Sequence, residues 1–328
     1  MFDFLKDNPL VKEARKARLR PRSLAIAFLL FFAVMTVSEF AASIPSTLYL
    51  SFRILTLLGP EFFLNADLVP EEMSAAMMAA SETAIGEDGY LLTSLFSMVI
   101  VSLLVIVFCR FIERRPLSSM GLALGKRAVL SYGIGLLLGL LLFSLAFLVM
   151  IATKSVTVAA GSFSPGMLVL YFFAFMIQGA AEELLVRGYF MISLTNTTGT
   201  GRAVVFSSIL FALLHIGNTG VSPLSLLNIT LFGLLLGLIV FRTGNLFLAC
   251  AMHGIWNFAE GNLYGMRVSG LAPGHSLLGT LPDAARAMTN GGEFGPEGGA
   301  AVTVVLLLAL AVFFLIPTRT EKVDAKAE

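Results

Sequence analysis

Charged residues are scarce in this 328-residue chain. Asp, Glu, Lys and Arg make up 13% of it, whereas 57% of the residues are hydrophobic and the mean hydropathy is +0.88. A soluble domain has about a quarter of its residues charged, so this composition excludes an ordinary soluble fold. The net charge is only +1, and no basic field argues for nucleic acid as a partner.

Cysteine and sequence repeats are also rare or missing. The two cysteines, Cys109 and Cys250, both fall in apolar segments. They are interpreted as small packing residues, and a disulfide framework is not expected. No internal repeat or heptad pattern is visible. A cleavable signal peptide is not expected, because the first apolar run is too long and follows a charged arm of more than twenty residues.

Long apolar runs dominate the chain instead. A transmembrane helix needs about 20 predominantly apolar residues. Eight runs approach this length: 23–45, 90–111, 129–153, 165–194, 203–216, 223–241, 245–264 and 299–316. We therefore predict an all-α polytopic membrane protein, a bundle of about eight transmembrane helices with a polar active-site cavity inside the membrane. The predicted organisation is a basic arm (1–22), a single transmembrane domain (23–317) with its motif core at 165–264, and a tail (318–328).

Lys and Arg are distributed unevenly between the loops. The arm carries Lys6, Lys12, Arg15, Lys16, Arg18, Arg20 and Arg22, the next loop is acidic, and the basic residues then alternate sides along the chain. Because cytoplasmic loops carry the excess of Lys and Arg, this pattern predicts that both termini face the cytoplasm. It also places the Gly- and Pro-rich stretch 265–299 outside, as an irregular loop in which His275 is expected to be solvated.

Polar and ionisable residues nevertheless occur at mid-membrane depth in three predicted helices. A charge there costs at least about 2.5–3.5 kcal/mol on insertion scales, so such a residue is a functional candidate by default. Four of them lie roughly 12–19 Å from the cytoplasmic ends of their helices at 1.5 Å per residue: Glu182, His215, His253 and Asn257. Their common depth predicts that these side chains meet.

Further charges accompany this cluster. Glu183 and Arg187 are four residues apart, on one helical face and in the favourable order. Glu260 shares a face with His253 and is expected to support the site. Glu39 lies near the predicted outer end of the first span and is expected at the membrane interface.

Three motifs carry the cluster: Glu-Glu-x-x-x-Arg at 182–187, Phe-x-x-x-His at 211–215 and His-x-x-x-Asn at 253–257. In this order, on three hydrophobic helices, they resemble the motifs of the CAAX-protease and bacteriocin-processing family (CPBP, or Abi), which includes the type II CAAX prenyl endopeptidases. The resemblance covers about residues 178–257, and no motif position departs from it. It implies an intramembrane endopeptidase, metal-independent or metal-assisted, whose base is the first glutamate. It does not fix the substrate.

The residues themselves suit peptide hydrolysis, which needs an activated water, a stabilised oxyanion and a proton for the leaving amine. Glu182 is suited to take the proton of the water, and His215 or His253 to position that water. Asn257 can donate to the oxyanion. No serine or cysteine lies beside a base in these helices, which argues against a covalent nucleophile.

Metal dependence is open at this stage. Glu182, His215 and His253 could supply the three ligands of a catalytic zinc site with one open position, and Glu183 would then have to serve as the base. The His-Glu-x-x-His signature of soluble zinc proteases is absent, and we favour no obligatory metal. In that case Glu183 pairs with Arg187 to fix the helix face and balance charge.

Two other functions also fit buried polar residues. A proton-coupled transporter uses such groups as an ion pathway, but it predicts inverted repeats or paired broken helices, and neither is visible. A noncatalytic scaffold, such as an immunity or secretion factor, would use the cluster only to hold the bundle together. The expected partners are the lipid bilayer and a peptide or protein substrate in or at the membrane.

Overall fold

The fold is a bundle of apolar helices. A computed structural model describes residue 5, residues 8–65 and residues 69–316, so the predicted tail (318–328) lies outside the described residues. Within these described ranges, five helical segments are long and apolar enough to cross a membrane: Leu24–Leu58, Asp88–Ile112, Lys126–Ala152, Pro165–Thr198 and Pro223–Thr243. Thr200–Leu213 and Ala300–Leu315 are shorter apolar helices. The predicted all-α polytopic class is confirmed, while the count of eight spans stays a prediction.

The elements follow one another with few strands between them. The α-helices are α1 (Pro9–Ala14), α2 (Leu24–Leu58), α3 (Pro60–Leu64), α4 (Pro70–Ile85), α5 (Asp88–Val107), α6 (Lys126–Ala152), α7 (Pro165–Glu183), α8 (Ile192–Thr198), α9 (Thr200–Leu213), α10 (Pro223–Thr243), α11 (Phe247–Phe258), α12 (Ala287–Asn290) and α13 (Ala300–Leu315). Three π-helical segments continue α5, α7 and α11: Phe108–Ile112, Leu184–Met191 and Ala259–Leu263. Strands β1 (Val156–Ala160) and β2 (Leu278–Pro282) pair in antiparallel fashion, with Val156 opposite Pro282.

Close packing of α7 against α11 brings two motif helices together. Both helices carry a glycine at the contact, and a Cβ on Gly179 would lie 2.6 Å from the backbone nitrogen of Gly254. The helix backbones therefore approach more closely than any side chain would allow, which is how small residues act in membrane helix pairs. This approach sets the depth match between Glu182 on α7 and His253 on α11.

The first span is longer than predicted. We expected it to end at about Pro45, but α2 continues through this proline to Leu58. Proline removes one backbone hydrogen bond, and membrane helices tolerate it where Ser and Thr side chains bond to nearby carbonyls. The carbonyl that loses its partner at Pro45 is that of Ala41, and in the next turn Ser46 and Thr47 both donate to the nearby carbonyl of Ser43. Glu39 therefore lies well inside a 35-residue helix, and its predicted place at the outer end of the span was wrong.

The stretch 265–299 is more ordered than predicted. It contains β2, α12 and two short 3-10 turns, because its backbone pairs with β1 and with neighbouring loops. His275 is not a freely solvated loop residue: its Nδ1 lies 2.9 Å from Oδ2 of Asp88. The backbone nitrogen of Gly274 also donates to Asp88, at 3.2 Å. These contacts attach the loop to the start of α5.

The two ends of the bundle are held together by different segments. At one end the arm contacts later loops, since Asn8 donates to the carbonyl of Phe241 and the backbone nitrogen of Arg18 to the carbonyl of Glu113. At the other end Asn218 donates to the carbonyl of Ser269. We call the first the arm end (α1 and the loops around 113–125, 199 and 244–246) and the second the loop end (the loops around 59–88, 153–164, 214–222 and 264–299).

Glu87 at the loop end gives the fold a predicted response to acid. Arg53 donates two hydrogen bonds to its carboxylate and Tyr49 donates a third at 2.7 Å, which lowers the pKa of Glu87 from 4.5 to about 2. A carboxyl group whose pKa is depressed by folding stabilises the protein fully above its unfolded pKa, and this stabilisation is lost as the pH falls towards the folded value.

Replacing Glu87 with glutamine should therefore flatten the acid side of the stability profile. We expect the thermal midpoint of the purified Glu87→Gln protein to fall less steeply than that of the parent between about pH 4.5 and pH 2. Thermal unfolding in detergent across this range measures it. Two parallel profiles would contradict the prediction.

Candidate active site

The pair of glutamates at the end of α7 is separated into two environments. Glu183 is fully buried, and Nη1 of Arg187 donates to its Oε1 at 2.9 Å. Nδ1 of His253 lies 2.9 Å from the same oxygen, so the histidine carries a proton on Nδ1 and donates it to this carboxylate. The predicted Glu183–Arg187 pair is confirmed, and the contact of Glu183 with His253 was not predicted.

Glu182 instead accepts the last hydrogen bond of a chain that begins with two side-chain amides. Nδ2 of Asn257 donates to Oε1 of Gln178 at 2.8 Å, and Nε2 of Gln178 donates to Oε1 of Glu182 at 2.5 Å. The other carboxylate oxygen of Glu182 is buried and has no hydrogen-bond partner among the described residues. It lies 3.7 Å from Nε2 of His253, which is too far for a direct hydrogen bond but suits a bridging water.

Phe211 joins the second motif to the other two. The guanidinium of Arg187 lies 4.3 Å from the centre of the Phe211 ring, a cation–π contact. The ring packs edge-on against His215 at 4.9 Å and against His253 at 5.9 Å. Nδ1 of His215 lies 2.8 Å from the carbonyl oxygen of Phe211, and donation to that carbonyl leaves Nε2 available.

A small cavity lies between these helices. Its volume is about 90 Å³, and a water molecule takes about 30 Å³ of liquid. Four of the six predicted site residues line it, whereas Glu183 and Arg187 lie behind its wall. The lining members are Glu182, His215, His253 and Asn257. The structure thus brings these four side chains together at one cavity.

Other residues of the site escaped sequence reasoning. Gln178 lies four residues before Glu182, so its place on the same helical face could have been predicted. Ser269 and Glu297 also line the cavity, and they come from the loop 264–299, whose position over the site no local pattern reveals.

Two further acidic residues do not line the cavity. Glu260 does not line the cavity, and both of its carboxylate oxygens are buried with no hydrogen-bond partner in the part of the chain that the structure describes. Glu260 lies in the π-helical turn Ala259–Leu263 that follows α11, and its supporting role stays a prediction. Glu39 is close enough to Glu182 for their charges to interact.

The three proposed zinc ligands do not form a metal site in this arrangement. Among the residues that the structure describes, no three His, Cys, Asp or Glu side chains are grouped so that they could hold a metal ion. Glu183, the base that a metal mechanism would require, is held by Arg187 and His253. The residues present therefore do not fit a three-ligand zinc site.

Comparison with known proteins agrees with the motifs. No match is found among curated proteins or among solved structures. Residues 163–259, the region that contains all three motifs, match the family model described as type II CAAX prenyl endopeptidase Rce1-like. The match supports a CAAX-type intramembrane protease. The family model thus matches the stretch that carries all three motifs, and the resemblance drawn from them is confirmed.

Proposed function

We propose that this protein is an intramembrane endopeptidase that hydrolyses a peptide bond of a membrane-associated or lipid-modified substrate with a water molecule activated by Glu182. The observation that carries the proposal is the free carboxylate oxygen of Glu182. It faces the cavity, is held in place through the opposite oxygen by Gln178, and lies 3.7 Å from Nε2 of His253. A water between these two atoms would be oriented and partly deprotonated.

Glu182 is the better base of the two glutamates. The side chain of Glu182 is 22% exposed, whereas that of Glu183 is 0% exposed and is engaged by a guanidinium and an imidazole. A general base must reach the proton that it abstracts, and Glu183 lies behind the cavity wall. Its role in this proposal is to orient His253 and to neutralise Arg187.

The reaction balances without a covalent intermediate. Glu182 accepts a proton from water as the oxygen attacks the carbonyl carbon, and negative charge develops on the carbonyl oxygen. Asn257 and His215 line the same cavity. Asn257 can donate to that oxyanion through the second amide hydrogen, and His215 through Nε2 as an imidazolium, in which both ring nitrogens carry a proton. Glu182 then returns the proton to the leaving nitrogen, so that the amine departs neutral.

The test of this function is a search for an uncut protein. Membranes from cells with the parent protein and from cells with Glu182→Gln are compared by proteomics, with attention to the termini of membrane proteins. The expected result is at least one protein that accumulates uncut only in the variant. Identical termini in both, with the protein expressed, would favour a noncatalytic scaffold.

The same proposal predicts that a strong chelator leaves the purified enzyme active. If water is positioned by side chains alone, His215→Ala should lower the rate by about 10²–10³, the usual effect of losing one oxyanion-stabilising group. Activity and metal content are measured on the same detergent-purified sample. About one tightly held zinc per chain, lost together with activity and restored with it, would overturn the metal-free mechanism.

A further inference from the structure

We infer that the cavity opens at the loop end of the bundle, on the side of the membrane opposite to the cytoplasm, and that its substrate is a peptide segment on that side. That a peptide is cleaved in this cavity rests on the proposed function, whereas the direction in which the cavity opens does not. It separates this chain from an enzyme that cuts the C-terminal peptide of a cytoplasmic protein.

The walls of the cavity are the first observation. On the loop-end side of Glu182 the cavity is lined by Asn218, which follows α9, and by four residues of the 264–299 loop. Those four are Val268, Ser269, Leu271 and Glu297. Leu271 is 45% exposed, and Asn218 and Ser269 are partly exposed. The cavity thus reaches the surface between two loops of the same end.

The closed side is the second observation. From Glu183 to Thr195, the part of the chain that leads from the site towards the arm end, every residue is buried. Arg115 packs against this segment, and its guanidinium donates to the carbonyl of Gly188 at 2.9 Å and to the hydroxyl of Ser193 at 3.2 Å. A peptide therefore has no path from the arm end to Glu182 through this packing.

The charges of the two ends are the third observation. In the described residues the arm end carries Lys12, Arg15, Lys16, Arg18, Arg20, Arg22, Arg110, Arg114, Arg115, Lys126, Arg127, Arg202 and Arg242 against the two acids Glu13 and Glu113. The loop end carries Glu61, Glu71, Glu72, Glu82, Glu87, Asp88, Asp283, Glu293 and Glu297 against Arg53, Lys154, Arg267 and Arg286. Lys and Arg mark the cytoplasmic side, so the arm end is cytoplasmic and the cavity opens away from it.

This direction decides which peptides can be substrates. A C-terminal peptide exposed to the cytoplasm would have to pass the buried segment 183–195. A translocated protein that remains attached to the outer leaflet by a lipid or a transmembrane helix presents its juxtamembrane peptide directly to the opening. The carboxylate of Glu297 at this mouth, where Ser269 donates to it, would attract a cationic residue in such a peptide.

Cysteine labelling in intact cells tests the direction without any assay of cleavage. Leu271→Cys places a thiol at the cavity mouth, and Leu124→Cys is a matched control at the arm end, where the native leucine is 88% exposed. Cys109 and Cys250 are both buried, so the parent chain serves as the blank. With a membrane-impermeant maleimide, Leu271→Cys should be labelled equally before and after permeabilisation, and Leu124→Cys only after it.

Each other outcome has a meaning. The reverse pattern would overturn the inference. Met288→Cys, on the same loop and 73% exposed, serves as a second probe. If it is labelled in intact cells while Leu271→Cys is labelled in neither state, the loop is outside but the cavity does not open there, and the inference also fails. Loss of cleavage in Glu182→Gln is measured separately, so failure of the proposed function and failure of this inference give different results.

Discussion

Replacing Glu182 with glutamine is expected to abolish cleavage while the protein accumulates at its normal level. Glutamine keeps the size of the side chain and still accepts the hydrogen bond from Gln178, but it cannot take a proton from water. General-base catalysis contributes typically 10²–10⁴ in rate, so turnover should fall by at least this factor. Cleavage of the accumulated substrate by equal amounts of parent and variant protein, purified in detergent, measures the effect.

A matched control isolates the base from the general charge of the cavity. Glu297 also presents a carboxylate to the cavity, and Glu297→Gln removes the same charge by the same chemical change. We expect the kcat of this variant to stay within about tenfold of the parent value, because the group stabilises neither the attacking water nor the oxyanion. Any lost attraction for a cationic substrate residue should raise KM instead. Near-normal turnover of Glu182→Gln, or equal losses in both variants, would show that Glu182 is not the base.

The depth of the site was predictable because helices in a membrane have a fixed rise and a fixed direction. Counting 1.5 Å per residue from each cytoplasmic boundary placed Glu182, His215, His253 and Asn257 in one layer. The pairing of Glu183 with Arg187 followed in the same way from i, i+4 spacing. The ion pair and the shared cavity are present in the structure. The predicted helix 203–216 is shorter than expected, however, since α9 ends at Leu213 and His215 follows it in a turn.

The contacts between helices were not predictable in this way. The bond between Glu183 and His253 depends on the approach of α7 to α11 at Gly179 and Gly254, and nothing in either segment specifies that partner. The π-helical turns are also invisible to a count that assumes 3.6 residues per turn. One of them follows α11 and contains Glu260.

Glu39 illustrates a third kind of limit. Pro45 was taken to end the first span, because proline breaks helices in soluble proteins. Inside a membrane an unpaired backbone group is so costly that the helix persists where side chains bond to it. This assumption placed Glu39 at the interface, whereas it lies in the middle of α2. The interaction of its charge with that of Glu182 was therefore not predicted.

Replacing Arg187 with alanine is expected to lower the yield of folded protein rather than to affect catalysis alone. Arg187 and Glu183 are both 0% exposed, and removal of one partner leaves the other as an unpaired charge inside the membrane. Breaking a buried ion pair costs about 3–5 kcal/mol, which is a large part of the stability of a typical domain. Fluorescence-detected size-exclusion chromatography of a tagged protein, together with the thermal midpoint in detergent, measures this loss.

The double variant Glu183→Gln/Arg187→Met separates charge imbalance from the loss of one contact. Methionine fills much of the space over the Phe211 ring, and glutamine still accepts the hydrogen bond from Nδ1 of His253, so no charge is left unpaired. Replacing a buried ion pair by uncharged groups of similar size is often neutral. We therefore expect the double variant to recover most of the yield that Arg187→Ala loses. Arg187→Ala protein that accumulates and unfolds like the parent, yet fails to cleave, would instead assign Arg187 a direct part in the reaction.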